Sequence, residues 1–329
     1  MKVEIALECR GIHHWFGDKR VLGDVNLKIK RGQFLAMVGP SGCGKSTLLR
    51  AIVGTHLPCQ GQVFLFPKDH EAEGLAVAGP GRDRGIVYQH YSLFPFLTAK
   101  ENVAVGLMLD QTGIAFRTFR FWKWRKLRRD HLKQAEDFLA EVKLNDAMNL
   151  YPHEMSGGMR QRVALAQAMI MKPEIILLDE PFGALDEATR EESQQMLLSL
   201  YEENQQAIRR GERPPYTLII VTHELNEAIY VGDRVAGLSQ YWDWRKEGFE
   251  KCPGATITYD KAAPVFQTKS AKDFTTFTEQ REEIRRVVFE PSPPPDRREH
   301  VVYWLTNGAA MPSDHAAAAS VVNPGEKSR

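Results

Sequence analysis

The stretch Phe34-Leu-Ala-Met-Val38, followed by Gly39-Pro-Ser-Gly-Cys-Gly-Lys-Ser46, decides the fold. The short apolar run predicts a buried strand, and the residues from Ser46 to Val53 predict a helix directly after the glycine-rich turn. The turn fits the pattern G-x-x-x-x-G-K-[ST], in which backbone N–H groups converge on phosphate oxygens at a helix N-terminus. This strand, turn and helix therefore predict a phosphate-binding loop.

The side chains of this loop have distinct predicted roles. Lys45 is expected to reach the β- and γ-phosphates of a nucleotide and to assist catalysis, and Ser46 is expected to ligate Mg²⁺. ATP and Mg²⁺ are therefore the expected cofactors. The nucleotide contacts predicted for the loop and the first helical turn are Gly39, Ser41, Gly42, Cys43, Gly44, Lys45, Ser46 and Thr47.

A second apolar run, from Glu174 to Leu178, is short enough to be a buried parallel strand and ends in two carboxylates, Asp179 and Glu180. Such a strand end often simply meets solvent, but the phosphate loop upstream favours a catalytic interpretation. We expect Asp179 to hold Mg²⁺ directly or through water. Glu180 is expected to polarise the water that attacks the γ-phosphate.

A third feature is Ser156-Gly-Gly-Met-Arg-Gln-Arg162, which precedes an apolar helical run from Val163 to Ile170. Ser156 is a good N-cap, and Gly157 and Gly158 permit close backbone approach, so the segment predicts a second anion-binding helix N-terminus. A capped helix with a purely structural role is the alternative. The segment resembles the signature motif that separates ABC ATPases from other phosphate-loop proteins.

The resemblance extends to further residues, in the order and spacing of that family. Gln89 resembles the glutamine that contacts Mg²⁺ and signals to the membrane partner, and Ala184-Leu185-Asp186 resembles the D-loop. His223, which follows an apolar run, resembles the switch histidine that senses the γ-phosphate. Phe16 resembles the aromatic residue that stacks on adenine, although Trp15 beside it is an alternative.

The resemblance covers about residues 3 to 238 and implies both partners and location. Pro181-Phe-Gly-Ala-Leu-Asp186 and the signature look like those of bacterial importers for nitrate, sulfonate, taurine and similar small anions, with Met159 in place of the commoner glutamine. The resemblance implies that two such subunits pair head to tail, with Lys45 of one and Ser156 of the other on one ATP. Transmembrane permease subunits and an extracytoplasmic solute-binding protein are implied. The chain is then peripheral, at the cytoplasmic face of the bacterial inner membrane.

The expected fold class is α/β, with a phosphate-loop NTPase sheet core, an antiparallel β subdomain and a helical signature subdomain. We expect a nucleotide-binding domain over 1–240, with the helical subdomain at about 102–171. A small C-terminal extension over 241–290 and a Pro-rich linker with a disordered tail over 291–329 are expected to follow.

Composition excludes several other classes. The chain has 329 residues, of which 43% are hydrophobic, and a formal net charge of +1, so nothing in the overall charge indicates nucleic acid. The four cysteines include no C-x-x-C pair, which makes a zinc module or a disulfide framework improbable. No apolar stretch reaches the roughly 20 residues that cross a bilayer. The pore is therefore expected in other chains.

One segment departs from a plain cassette. Phe116 to Arg129 contains five aromatic and seven basic residues and no acid before Asp130. It fits a helix with solvated cations, a membrane or permease contact, or a single-stranded nucleic-acid site. Two functional alternatives also stay open: an ABC ATPase that acts on nucleic acid, which usually carries coiled coils or zinc modules, and a C-terminal module that senses a ligand.

Overall fold

The computed structural model describes residues 4–67, 70, 72–111, 121–183, 185–240, 254–263 and 274–290. The strands are β1 Ile5–Phe16, β2 Lys19–Lys30, β3 Phe34–Val38, β4 Gln60–Leu65, β5 Leu75–Ala76, β6 Arg84–Val87, β7 Ile175–Asp179, β8 Thr217–Val221, β9 Arg234–Ser239 and β10 Thr256–Ala262. The helices are α1 Lys45–Val53, α2 Ala99–Gln111, α3 Phe121–Glu141, α4 Gly157–Met169, α5 Glu187–Arg209, α6 Leu225–Val231 and α7 Phe274–Ile284, with 3-10 turns at Asn145–Ala147 and Pro152–Glu154 and a π turn at Arg285–Phe289.

The central sheet contains six of the described strands, in the order β10-β9-β3-β8-β7-β6. From β9 to β6 the neighbours are parallel, and β10 alone runs antiparallel to its neighbour β9. The strands β3 and β8 are buried along their whole length. Both faces of this sheet are covered, one by helices and the other by α1 and the antiparallel sheet, which explains why these strands are continuous apolar runs without alternation.

This parallel order brings the candidate functional segments to one edge of the sheet. The glycine-rich loop follows β3, Gln89 follows β6, Glu180 follows β7 and His223 follows β8. Because the carboxyl ends of parallel strands lie at the same edge, these four segments meet there.

The second sheet is antiparallel, in the order β2-β1-β4-β5. In β2, Val25, Leu27 and Ile29 are buried, whereas the intervening Asn26 and Lys28 are partly exposed, as expected of a strand with one face against the core. The buried face packs with α1 and one face of the central sheet in a single apolar cluster. The predicted sheet core and antiparallel subdomain are therefore both present.

Helices α2, α3 and α4 pack on one another between β6 and β7. Their shared core includes Val103 from α2, Leu139 from α3 and Val163 from α4, all fully buried. This unit corresponds to the helical subdomain expected over about 102–171, although its first helix begins three residues earlier, at Ala99. The five aromatic and seven basic residues of the predicted segment lie only in part on α3, since residues 116–120 lie outside the described residues.

The described part of the expected C-terminal extension, residues 254–263 and 274–290, continues the central sheet. Strand β10 pairs with β9, and α7 and the π turn cover them with Ile284 and Val288, both fully buried. At Gly237 in β9 an added Cβ would lie 2.3 Å from a Val288 methyl group, so this packing requires a glycine there. The linker and tail predicted over 291–329 lie outside the described residues.

Among the described helices, none combines the length and the apolar character that a membrane span requires.

Candidate active site

The glycine-rich loop is closed around its own lysine. Lys45 is only 6% exposed, and its Nζ donates to the carbonyl oxygens of Gly39 (2.6 Å) and Pro40 (3.1 Å). Gly44 has φ of +106°, and a Cβ there would lie 2.8 Å from a Leu22 methyl group of β2, so only glycine fits. The ammonium group is thus already at the centre of the loop, where phosphate oxygens would replace the carbonyl partners.

Asp179 and Ser46 form the predicted metal-binding pair. They share a side-chain hydrogen bond, and burial, followed by the charge of neighbouring Glu180, raises the pKa of Asp179. Arg50 and Lys45 act in the opposite direction. A hydroxyl and a carboxylate are hard oxygen ligands that suit Mg²⁺, which usually takes few protein ligands and completes its shell with phosphate and water. The donor set therefore fits Mg²⁺.

Larger groups of His, Cys, Asp and Glu that could hold a metal ion are absent from the described residues.

Glu180 lies between two other predicted site residues. Its Oε2 accepts a hydrogen bond from Nε2 of Gln89 at 3.3 Å, and its Oε1 lies 3.3 Å from Nδ1 of His223. The backbone of Glu180 has φ of +48°, which is unusual for a residue with a side chain, and its N–H donates to Val221 O at 2.8 Å. This conformation places the carboxylate at the carboxyl edge of the sheet, between the segments that follow β6 and β8.

The signature segment includes the N-terminus of α4, which is capped and packs against the capped N-terminus of α5. Ser156 caps α4, accepting a hydrogen bond from Met159 N at 3.3 Å, and Asp186 caps α5 through Thr189 N at 3.0 Å. The hydrogen bonds from Thr189 lower the pKa of Asp186. Gly158 packs directly on Thr189, so the two capped helix ends lie against each other.

These two capped ends stand apart from the phosphate loop of the same chain. Among the described residues, no hydrogen bond or ion pair joins Ser156 or Asp186 to the loop. Ser156 is exposed, whereas Gly158 is buried. The Ala184 of the predicted D-loop lies outside the described residues.

Phe16 lies at the end of β1, at the turn of the β1–β2 hairpin. Its ring is 51% exposed and meets the His14 ring edge-on, with centroids 4.7 Å apart. Trp15, the alternative residue, is partly buried. The exposed face of the Phe16 ring is accessible to a planar ligand. The described contacts do not favour Phe16 over Trp15 as the residue that stacks on adenine.

Sequence reasoning did not find a charged bridge between the segments around Asp186 and His223. Arg190 donates to Leu185 O at 3.4 Å and lies 3.6 Å from Glu227, whose Oε2 accepts from Oγ1 of Thr222 at 2.9 Å. Thr222 directly precedes His223. The only signal in the sequence was a glutamate in the first turn of a helix, which is also typical of an ordinary helix start.

Known proteins with similar sequences identify the family. A family described as "ABC transporter" matches residues 22–183. An aliphatic sulfonates import ATP-binding protein of Bacillus licheniformis is 36% identical over 262 residues, which cover 78% of this chain and 88% of the relative. A nitrate import ATP-binding protein of Synechococcus elongatus is 38% identical over 218 residues, covering 64% and 67%.

A solved structure is also similar. It is a dimeric ATP-binding cassette in a post-hydrolysis state, bound to ADP and Pi, with a TM-score of 0.58 and 28% sequence identity. The similarity covers 79% of this chain and 100% of the solved one.

Proposed function

The chain belongs to the ABC transporter family of ATP-binding proteins, and from that premise we propose that it hydrolyses ATP to drive a permease that imports a small anion. The observation that carries the proposal is the position of Glu180. Its carboxylate is held between Gln89 and His223, at the sheet edge where the phosphate loop begins. A base at that position can orient and polarise the water that attacks the terminal phosphate.

The other predicted site residues have separate roles in binding the nucleotide and in phosphoryl transfer. The loop from Gly39 to Thr47 binds the phosphates through its N–H groups, and Lys45 supplies positive charge to them. Ser46, Asp179 and Gln89 would hold Mg²⁺, which neutralises phosphate charge when bound. His223 lies within hydrogen-bonding reach of Glu180 and would keep its carboxylate oriented. Phe16 would stack on the adenine ring.

A second copy of the chain would complete each site. Ser156, Gly157 and Gly158 form an anion-binding helix end that, among the described residues, has no hydrogen bond or ion pair to the loop of its own chain. In a head-to-tail pair, this end and Asp186 of one subunit face the nucleotide held by the other. The dimeric state of the similar solved cassette supports this arrangement.

The relatives support the further partners. Their names assign them to import of aliphatic sulfonates, nitrate and sulfate or thiosulfate, and to transport of bicarbonate, which are all small anions. We propose the same substrate class here, with a permease in the bacterial inner membrane, this subunit at its cytoplasmic face and a solute-binding protein outside.

The test is purification of the chain from its own membranes in mild detergent. We expect multi-span proteins to copurify, and ATP hydrolysis to increase when the complex is reconstituted with an anion of this class. The chain with Lys45→Ala is the control, since it should assemble without hydrolysing ATP. Hydrolysis that is indifferent to the copurified proteins would contradict the transport proposal and leave the ATPase proposal standing.

A further inference from the structure

The first half of α3 exposes a tryptophan among cations. Trp122 is 79% exposed, although indole is among the side chains that gain most from burial. The residues Lys123, Arg125, Lys126 and Arg129 are also exposed. At 100° per residue these four side chains and Trp122 share one side of the helix, which we call the basic face (Trp122, Lys123, Arg125, Lys126 and Arg129).

Three of the cations on the basic face have no acidic partner among the described residues. Lys123, Lys126 and Arg129 form no ion pair with any described residue, and the first acidic residue of α3 is Asp130, which is exposed on the same side of the helix. By contrast, Arg128 lies on the inner side of the helix and pairs with Glu101 of α2 at 2.9 Å. The helix thus pairs its inward arginine and leaves cations on its outer side.

A shallow concave surface lies at the flank of the basic face. It has a volume of about 240 Å³ and is lined by Trp124, Arg125, Arg128, Arg129 and Leu132. Guanidinium groups beside an indole ring suit a phosphate group whose attached chain is apolar, since the cations bind the oxygens and the ring contacts the carbon atoms.

We propose that the basic face binds an anionic phospholipid surface. Tryptophan prefers the boundary between headgroups and acyl chains, and basic residues near an anionic leaflet each add to the attraction. The exposed Trp122, placed between cations on one side of a helix, combines both properties. The site goes beyond the proposed function, because neither ATP hydrolysis nor pairing of two subunits requires it.

Two other occupants fit the basic face less well. The cores of protein interfaces are depleted in lysine, whereas Lys123 and Lys126 flank the ring here. Single-stranded nucleic acid stacks successive bases on several rings along a groove, whereas one ring, Trp122, is exposed on the described part of this face. The cations and the single exposed ring therefore favour a lipid surface.

The test compares binding of the full chain to vesicles of phosphatidylcholine alone and of phosphatidylcholine mixed with phosphatidylglycerol, by flotation at low salt. We expect binding only to the anionic vesicles, and weakening as salt rises. Replacing Lys123, Lys126 and Arg129 together by Gln should lower the affinity about 100-fold, at about fivefold for each cation.

A matched variant controls for net charge. Replacing Lys172, Arg209 and Arg210 by Gln removes the same three charges from exposed positions elsewhere, and we expect it to bind vesicles as the wild type does. ATP hydrolysis should be unchanged in both variants, so the outcome is independent of the proposed function. Equal loss in both variants, equal binding to both kinds of vesicle, or binding to a single-stranded oligonucleotide in place of vesicles would overturn the proposal.

Discussion

At the residue scale, Glu180 combines a strained backbone with two side-chain partners. Its φ of +48° is a conformation that costs free energy for a residue with a Cβ. Gln89 and His223 each hold one of its carboxylate oxygens. A carboxylate held in this way is preorganised, so little reorganisation is required when water is positioned for attack.

We therefore predict that Glu180→Gln retains ATP binding and lowers hydrolysis by about 10² or more, the scale of losing a positioned base. The amide keeps the size of the side chain and can still accept from Gln89, so binding should be preserved. Equilibrium binding of a fluorescent ATP analogue and steady-state phosphate release measure the two properties. Undiminished turnover would remove Glu180 from this role.

Asp233 is a second residue whose environment changes its chemistry. Burial raises its pKa to about 7, against the opposing effects of the hydrogen bond from Phe34 N and of the charges of Arg234 and Lys30. A carboxyl group that is harder to ionise in the folded chain stabilises the fold fully below its unfolded pKa of about 4. This contribution is lost as the pH rises through about 7.

Asp233→Asn should remove that pH dependence. The amide oxygen can still accept from Phe34 N, but it does not ionise. From pH 5 to pH 8 we expect the free energy of unfolding of the wild type to fall relative to that of the variant, by about 2–3 kcal/mol. Urea unfolding of both proteins at the two pH values measures the difference, and parallel pH profiles would contradict the assignment.

At the element scale, the N-termini of α4 and α5 form one packed unit. A Cβ at Gly158 would lie 2.2 Å from Cγ2 of Thr189, and Thr189 also bonds the capping carboxylate of Asp186 through its N–H and its hydroxyl. Glycine is required at position 158 for the approach of a neighbouring helix, and the contact joins the signature segment to the D-loop.

The change Gly158→Ala should lower the free energy of unfolding by about 1–3 kcal/mol, the usual cost of overpacking. Thr189→Ser in the same chain should restore most of that loss, since serine keeps the hydroxyl that bonds Asp186 and lacks the clashing methyl group. Urea unfolding of the two single variants and the double variant provides the comparison. A double variant no more stable than Gly158→Ala alone would show that the methyl contact is not the cause.

At the scale of the whole molecule, strand β10 is joined to its neighbour β9 by a buried ion pair. Arg234 of β9 and Asp260 of β10 are each 1% exposed and share two hydrogen bonds of 2.6 Å. The Arg234 guanidinium also donates to Lys28 O of β2. One side chain thus connects the central sheet, its last strand and the antiparallel sheet.

Asp260→Ala is expected to destabilise the chain by about 3–5 kcal/mol, because it leaves a buried guanidinium without its partner. Lys261→Gln is the matched control on the same strand. It breaks a 2.6 Å ion pair with Glu283 in which the lysine is half exposed, and it should cost at most about 1 kcal/mol. Thermal or urea unfolding measures the loss of stability in each variant. Equal losses in the two variants would mean that the buried ion pair does not make β10 integral to the fold.

Most of the features that could be predicted from the sequence are formed by residues that are contiguous in the chain. The phosphate loop, the strand that ends in Asp179 and Glu180, and the caps at Ser156 and Asp186 are local devices, in which neighbouring residues alone specify the geometry. Their order was also sufficient to indicate the α/β class and the family. The two strands whose bounds the sequence predicts, β3 and β7, lie within one residue of their observed bounds.

Only the tertiary structure decided which of these segments meet. Gln89 and Glu180 are 91 residues apart in the chain, and the parallel order of β6, β7 and β8 brings them together. The contact of Gly158 with Thr189 and the pairing of β10 with β9 were likewise not predictable, because they depend on packing between distant segments. Local patterns specify what a segment can bind, whereas strand order and side-chain packing determine which segments share one site.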